Sequence, residues 1–259
     1  MPAWDPELYL RFAREREIAC HDLARRTADR AATPWFVVDL GCGPGNSTKI
    51  LRNLYPRAQI FGVDNDPEML AKANRDRINA RFVKGDLATY QPETPPNLIF
   101  SNAAIQWVPD HSALFERLMG LLAKGGWLAV QIPDHLDSDA HRLMAETARD
   151  ERWRDRLEGV RDGNLTTQTA EQLYDLVAPH ASEAEAWRTD YLHVLPSADA
   201  IAEWYRGSGM RPYLEALADD AEREAFVAAL TEKLRNAYRP ATDGKVVFTF
   251  RRSFVLARR

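Results

Sequence analysis

Short apolar runs alternate with amphipathic stretches through the first half of the chain. Runs of strand character fall at 35–40, 59–64, 81–84, 98–101 and 127–132. Between them, residues 47–54, 67–74 and 112–122 place apolar side chains at the spacing of one helix face. Ahead of these, Leu8, Phe12, Ile18 and Leu23 recur among charged residues, which predicts a helical segment over 1–32. Lys124-Gly125-Gly126 reads as a helix stop before the strand that opens at Trp127. Regular alternation of strand and helix predicts a parallel sheet with right-handed crossovers, an α/β fold.

The second half is less regular. Residues 137–178 read as one long charged helical stretch, and 187–195 as a strand. Helical patterns at 197–205 and 219–238 are separated by Gly207-Ser208-Gly209. A last strand, 245–257, carries Arg251 and Arg252 in its middle. The chain of 259 residues, 45% hydrophobic, suffices for one substantial core. Its net charge of −4 and the lack of a basic run argue against nucleic acid as a partner. Neither a membrane-length apolar run nor the pattern of a signal peptide is present in the sequence. Cys20 and Cys42 lack metal-type spacing, so no metal is expected and a reducing cytoplasm is the expected compartment.

The candidate chemistry begins where the first apolar strand ends. Asp39 is followed by Gly41-x-Gly43-x-Gly45, with Pro44 inside the turn, and the next strand ends on Asp64. Glycines there allow a tight turn and close approach of backbone to a ligand. An acid at the end of the second strand is placed to accept from ribose hydroxyls, which predicts an adenosine-containing cofactor. A dinucleotide fingerprint wants Gly-x-Gly-x-x-Gly, and the acid ahead of this loop favours a cationic ligand over a diphosphate. Asp39 is expected to brace the loop amides. Asp66 fits the cap of the helix opening at Pro67, which leaves Asp64 for the ligand.

This loop, Asp64, the Gly85-Asp86 pair after Arg81-Phe82-Val83-Lys84, and the run from Asn97 to Trp107 resemble the ordered motifs of class I S-adenosylmethionine-dependent methyltransferases. The resemblance implies a single domain with a Rossmann-like, mostly parallel seven-stranded sheet. It implies a core at 33–135, helical cap insertions at about 137–182 and 197–240, and edge strands at 187–195 and 245–257. S-adenosylmethionine is the implied cofactor, leaving S-adenosylhomocysteine as product. Its implied contacts come from Asp39, Gly41, Cys42, Gly43 and Asn46 in the first motif, and from Asp64, Asn65 and Met69 in the second. Asp86 would accept from the adenine amino group with Leu87 beside the ring, and Ser101, Asn102, Ala103 and Trp107 would line the methyl-transfer end.

The wording Ser-Asn-Ala-Ala-Ile-Gln-Trp differs from the Asn/Asp-Pro-Pro-Tyr of nitrogen methyltransferases and resembles small-acid carboxyl methyltransferases. Trp4-Asp5-Pro6, Tyr9-Leu10, Phe12, Gln131-Ile132-Pro133-Asp134, Trp187-Arg188-Thr189 and Arg211-Pro212 extend that resemblance along the chain. It implies a monomethyl ester of trans-aconitate or a similar small polycarboxylate as product, with no obligate protein partner. A malonyl group on a carrier protein, and a cofactor-binding regulator without activity, remain as alternatives. A carboxylate is already ionised at neutral pH, so no general base or catalytic nucleophile is expected. Cations and hydroxyls are expected instead: Tyr9, Arg16, Arg188, Tyr191, His193, Arg211 and Tyr213. Arg142, Arg149 and Arg152 read as a solvated helix face.

Overall fold

The computed structural model describes residues 12–31, 33–160 and 166–259; the side chains of Ala13, Arg14 and Arg16 are not described. Trp4, Asp5, Pro6, Tyr9 and Leu10 therefore lie outside the described residues, as does the Arg16 side chain. The chain forms two compact units. One comprises Arg16–Pro133, Thr166–Thr189 and Arg252–Arg259, and the other Met1–Glu15, Asp134–Leu165 and Asp190–Arg251.

The first unit is organised by the sheet. Helix α1 (Ala13–Arg30) precedes β1 (Phe36–Leu40), α2 (Asn46–Leu54), β2 (Gln59–Asp64), α3 (Pro67–Arg75) and β3 (Arg81–Lys84). Then come β4 (Leu98–Asn102), α4 (His111–Leu121) and β5 (Trp127–Pro133). With β6 (Glu183–Leu195) and β7 (Val246–Arg258), the seven strands are ordered β3-β2-β1-β4-β5-β7-β6. The pairings among β1 to β5 are parallel, and β7 runs antiparallel to β5. The mostly parallel seven-stranded sheet is therefore as the sequence implied. Every residue of β1 and of β5 is buried, as strands covered on both faces require. Val38, Leu40, Ile99, Leu128 and Val130 pack with Leu114, Phe115 and Leu118 of α4 on one face. Helix starts follow local chemistry: Asp66 accepts from the Glu68 and Met69 amides ahead of Pro67, and Asp110 accepts from the Ala113 amide.

The stretch expected as one helix over 137–178 is three helices: α5 (Asp139–Ala148), α6 (Arg154–Leu157) and α7 (Ala170–Val177). Local signals break it. Ser138 caps α5, Gly159 takes φ +81° after α6, and Thr169 with Gln172 forms a capping box that opens α7. Leu173 and Val177 of α7 join the sheet core, so the later part of the expected insertion belongs to the sheet unit. Strand β6 also begins at Glu183, ahead of the expected start at Trp187.

In the second unit, α5 and α6 pack with α8 (Asp199–Arg206), α9 (Arg211–Ala216) and α10 (Asp220–Ala237) around Met144, Ile201, Trp204, Tyr205, Phe226 and Phe248. Helix α9, with Pro212 in its first turn, lies in a stretch that the sequence left unassigned. No helix among the described residues is long and apolar enough to cross a membrane. No group of His, Cys, Asp and Glu among them could hold a metal ion.

Candidate functional site

The turn after β1 is held by backbone bonds to the neighbouring strand: the amides of Gly41 and Cys42 both donate to the Val63 carbonyl, at 2.8 and 3.1 Å. Gly41, Gly43 and Gly45 take φ of +74°, +53° and +93°, a region side chains disfavour. Their surroundings differ. A Cβ on Gly41 would sit 2.1 Å from Ala104 Cβ, whereas one on Gly43 would meet nothing within 4 Å. Gly41 is thus needed to close the protein's own packing, while Gly43 leaves its face of the loop open to a ligand.

Asp64 anchors this loop. Its Oδ2 accepts from the Gly43 amide at 2.8 Å and its Oδ1 from the Asp66 amide at 2.9 Å. A carboxylate offers about four acceptor positions, so two amide bonds leave capacity for two ribose hydroxyls. Asp66 is the cap of α3, which leaves that role off Asp64.

Asp39 does not brace the loop amides. Its fully buried Oδ2 accepts from the hydroxyls of Ser47 at 2.7 Å and Thr48 at 2.6 Å, tying β1 to α2. Those hydroxyls sit on the first turn of α2 and reach Asp39 before any loop amide does. Burial pushes its carboxyl up from 3.8 to about 6, the two hydroxyl bonds offset part of this, and the Asp64 charge adds to it. Stability from this group is fully present below about pH 4, where folded and unfolded chains are both protonated. It is lost as pH rises through about 6, by roughly 3 kcal/mol. Asp39→Asn keeps an acceptor without a charge. Its urea midpoint is therefore expected to rise relative to wild type between pH 4 and 7; a constant difference over that range would contradict the assignment.

The rest of the cleft comes from neighbouring strand ends. Asp86 Oδ1 accepts from the Ala88 amide at 2.7 Å, a turn-closing bond. Arg117, which the sequence did not single out, grips this turn from α4 by donating to the carbonyls of Leu87 at 2.6 Å and Tyr90 at 2.8 Å. Asn65 is exposed and Met69 half-buried beside the α3 cap. Asn46 donates to Glu17 of α1 at 3.0 Å, and burial pushes the Cys42 thiol up. Ser101 donates to the Leu40 carbonyl at 2.8 Å, so its hydroxyl serves the sheet. Ala103 takes φ +52°, and its amide donates to the Gln131 carbonyl at 2.9 Å. Gln106 donates to the Ala103 carbonyl at 2.7 Å and holds that strained turn. Trp107 is 54% exposed, while Asn102 Oδ1 is buried without a hydrogen-bond partner among the described residues. The structure thus gathers the residues from Asp39 to Trp107 at the carboxyl ends of β1, β2, β3 and β4. Orphaned Asn102 Oδ1 and the open face of Gly43 fit a ligand with a polar, cationic methionine end.

The cap residues are divided between the units. Arg188 is exposed on β6 in the sheet unit, next to Trp187, which stacks on Phe254 with centroids 4.8 Å apart. In the other unit His193 lies between Tyr191 and Trp204, with centroids at 6.3 and 5.2 Å. Tyr213 is buried against Phe226, and Arg211 pairs with Glu215 at 2.6 Å on an exposed helix face. Arg142 and Arg152 pair with Asp139 and Asp150 on exposed surface.

Relatives of this chain are found among known proteins. A family described as a methyltransferase domain matches residues 37–126. The trans-aconitate 2-methyltransferase of Azoarcus sp. (strain BH72) is 46% identical over 258 residues, covering 99% of both chains. That of Acidovorax ebreus (strain TPSY) is 43% identical over 259 residues, 100% of this chain and 99% of the relative. Among solved structures, the YcgJ protein of Bacillus subtilis superposes with a TM-score of 0.58 at 14% identity, covering 92% of this chain and 98% of that one. The plantazolicin methyltransferase BpumL, in complex with S-adenosylhomocysteine, gives 0.54 at 14% identity over 98% of this chain and 91% of that one. Likeness at that identity speaks for the fold.

Proposed function

The chain belongs to the trans-aconitate 2-methyltransferase family, and from that premise we propose that it forms a monomethyl ester of trans-aconitate with S-adenosylmethionine as donor. The observation that carries this reading is the end-to-end match to those enzymes at 43% and 46% identity. When bound, S-adenosylmethionine supplies an electrophilic methyl group on a sulfonium. The chain's own residues hold and align. Asp64 is assigned to the ribose, Asp86 and Leu87 to the adenine, and the Gly43 face with Asn102 to the methionine end. Since the acceptor carboxylate is ionised at neutral pH, what these residues contribute is alignment and exclusion of water. Arg188 is assigned to a carboxylate of the acceptor that is not methylated, because a guanidinium fork suits bidentate carboxylate binding. The cytoplasm is the proposed compartment; Cys20 and Cys42 are both free and buried.

Incubation with S-adenosylmethionine and a panel of small acids, read by mass spectrometry, is expected to yield a single ester on trans-aconitate. Ester formation on malonyl-carrier protein alone, or on no acid, would replace the reading by the carrier-protein or regulatory alternative. In the same assay, Arg188→Ala is expected to lower kcat/KM by about 30- to 1,000-fold, with S-adenosylhomocysteine affinity unchanged. Full activity in this variant would withdraw the arginine assignment and leave the function standing.

A further inference from the structure

One buried polar side chain in the sheet unit has no task in the fold. Gln131 sits in β5, 1% exposed, and neither its Nε2 nor its Oε1 has a hydrogen-bond partner among the described residues. A buried amide left unpaired on both ends is destabilising, and native proteins keep few of them. An apolar side chain of the same size would suit the folded protein better. Its retention calls for a ligand.

Register identifies which part of a ligand it meets. Gln131 pairs with Asn102 on β4 and with Phe254 on β7, so the three side chains project from one face. Arg252 pairs with Pro133, two positions along β5, and shares that face as a diagonal neighbour of Gln131, about 7–8 Å away. Arg252 is 6% exposed. Phe254, stacked on Trp187, gives Gln131 an apolar neighbour on the β7 side. The same face carries Asp39 on β1, whose register partner Phe100 lies two positions before Asn102. Polar groups are therefore ordered along the strand ends. Acids and the Asn102 oxygen stand on the β1 and β4 side, where a cation is favoured. The unpaired Gln131 amide stands on the β5 side, where its N–H is placed to meet an acceptor oxygen.

We propose that Gln131 is a specificity-determining residue of the methyl transfer, donating its amide N–H to a carboxylate oxygen of the acceptor acid. This rests on the reading that the acceptor is a small polycarboxylate. Gln131→Leu removes both unpaired polar ends without changing the size of the side chain much. The variant is expected to melt at the wild-type temperature or above and to bind S-adenosylhomocysteine as wild type does by calorimetry. Its kcat/KM for trans-aconitate is expected to fall by about 10- to 100-fold, chiefly through KM. Gln131→Glu, which sets a like charge against the acceptor, is expected to lose more. An active wild type alongside a Leu variant within about threefold of it in kcat/KM would overturn this assignment alone. So would a Leu variant that melts lower and loses S-adenosylhomocysteine affinity, since Gln131 would then be structural. Wild-type protein that esterifies no small acid would overturn the functional reading, and this inference with it.

Discussion

Asp64→Ala is expected to weaken S-adenosylhomocysteine binding by about a hundred- to several-thousand-fold. A carboxylate bridging two ribose hydroxyls makes two charge-assisted hydrogen bonds, together worth roughly 3–5 kcal/mol. The structure adds a second route to the same loss. The carboxylate also accepts from the Gly43 and Asp66 amides, so its removal releases the open side of the glycine loop and the turn before α3. Asp64→Asn separates the two contributions, because a carboxamide oxygen still accepts one amide while the charge is gone. It should retain more of the wild-type melting temperature than the alanine variant while binding the ligand poorly. Titration calorimetry that returns a near-native dissociation constant for Asp64→Ala would remove the ribose assignment.

Gly41 and Gly43 are expected to fail in opposite ways when given a side chain. At Gly41 even alanine brings its Cβ to 2.1 Å from Ala104 Cβ, at a φ of +74°. Overpacking and a left-handed backbone together should destabilise Gly41→Ala by roughly 3–5 kcal/mol, seen as a lower urea midpoint. At Gly43 an added Cβ meets nothing within 4 Å among the described residues, so the backbone conformation is the main resistance to a side chain. Gly43→Val should lose about 1–2 kcal/mol of stability yet bind S-adenosylhomocysteine at least 100-fold more weakly. A folded Gly43→Val protein with wild-type affinity would mean that the cofactor lies elsewhere. A Gly41→Ala protein with unchanged stability would mean that the loop does not pack on Ala104.

Much of the site was legible in the sequence because its signals are local. Asp66 followed by Pro67 reads as a cap with two residues in view, and the structure builds that cap. Glycines 41, 43 and 45 announce positive φ, which all three adopt. The helical stretch between residues 137 and 178 was harder to read, since helix breaks there depend on single residues. Gly159 and the Thr169 cap interrupt a charge pattern that runs on as if helical. Arg117 left no trace, because a helix arginine that binds carbonyls at 87 and 90 looks like any solvated arginine. Gln131 did leave one: a lone amide in the apolar run 127–132, which the pattern passed over as a strand residue.

The sequence by itself determined the strand–helix alternation, the glycine turn, the acid-ended strands and the helix caps. Each of these is set by backbone preference or by bonds between residues a few positions apart. Only the tertiary structure decided that Asp39 turns to Ser47 and Thr48 and that Asp64 takes the Gly43 amide. It alone decided that Asn102, Gln131 and Arg252 share one face. The physical reason is register. A shift of one residue between paired strands would send every one of those side chains to the opposite face, and burial of the whole sheet, not any local motif, holds the register in place.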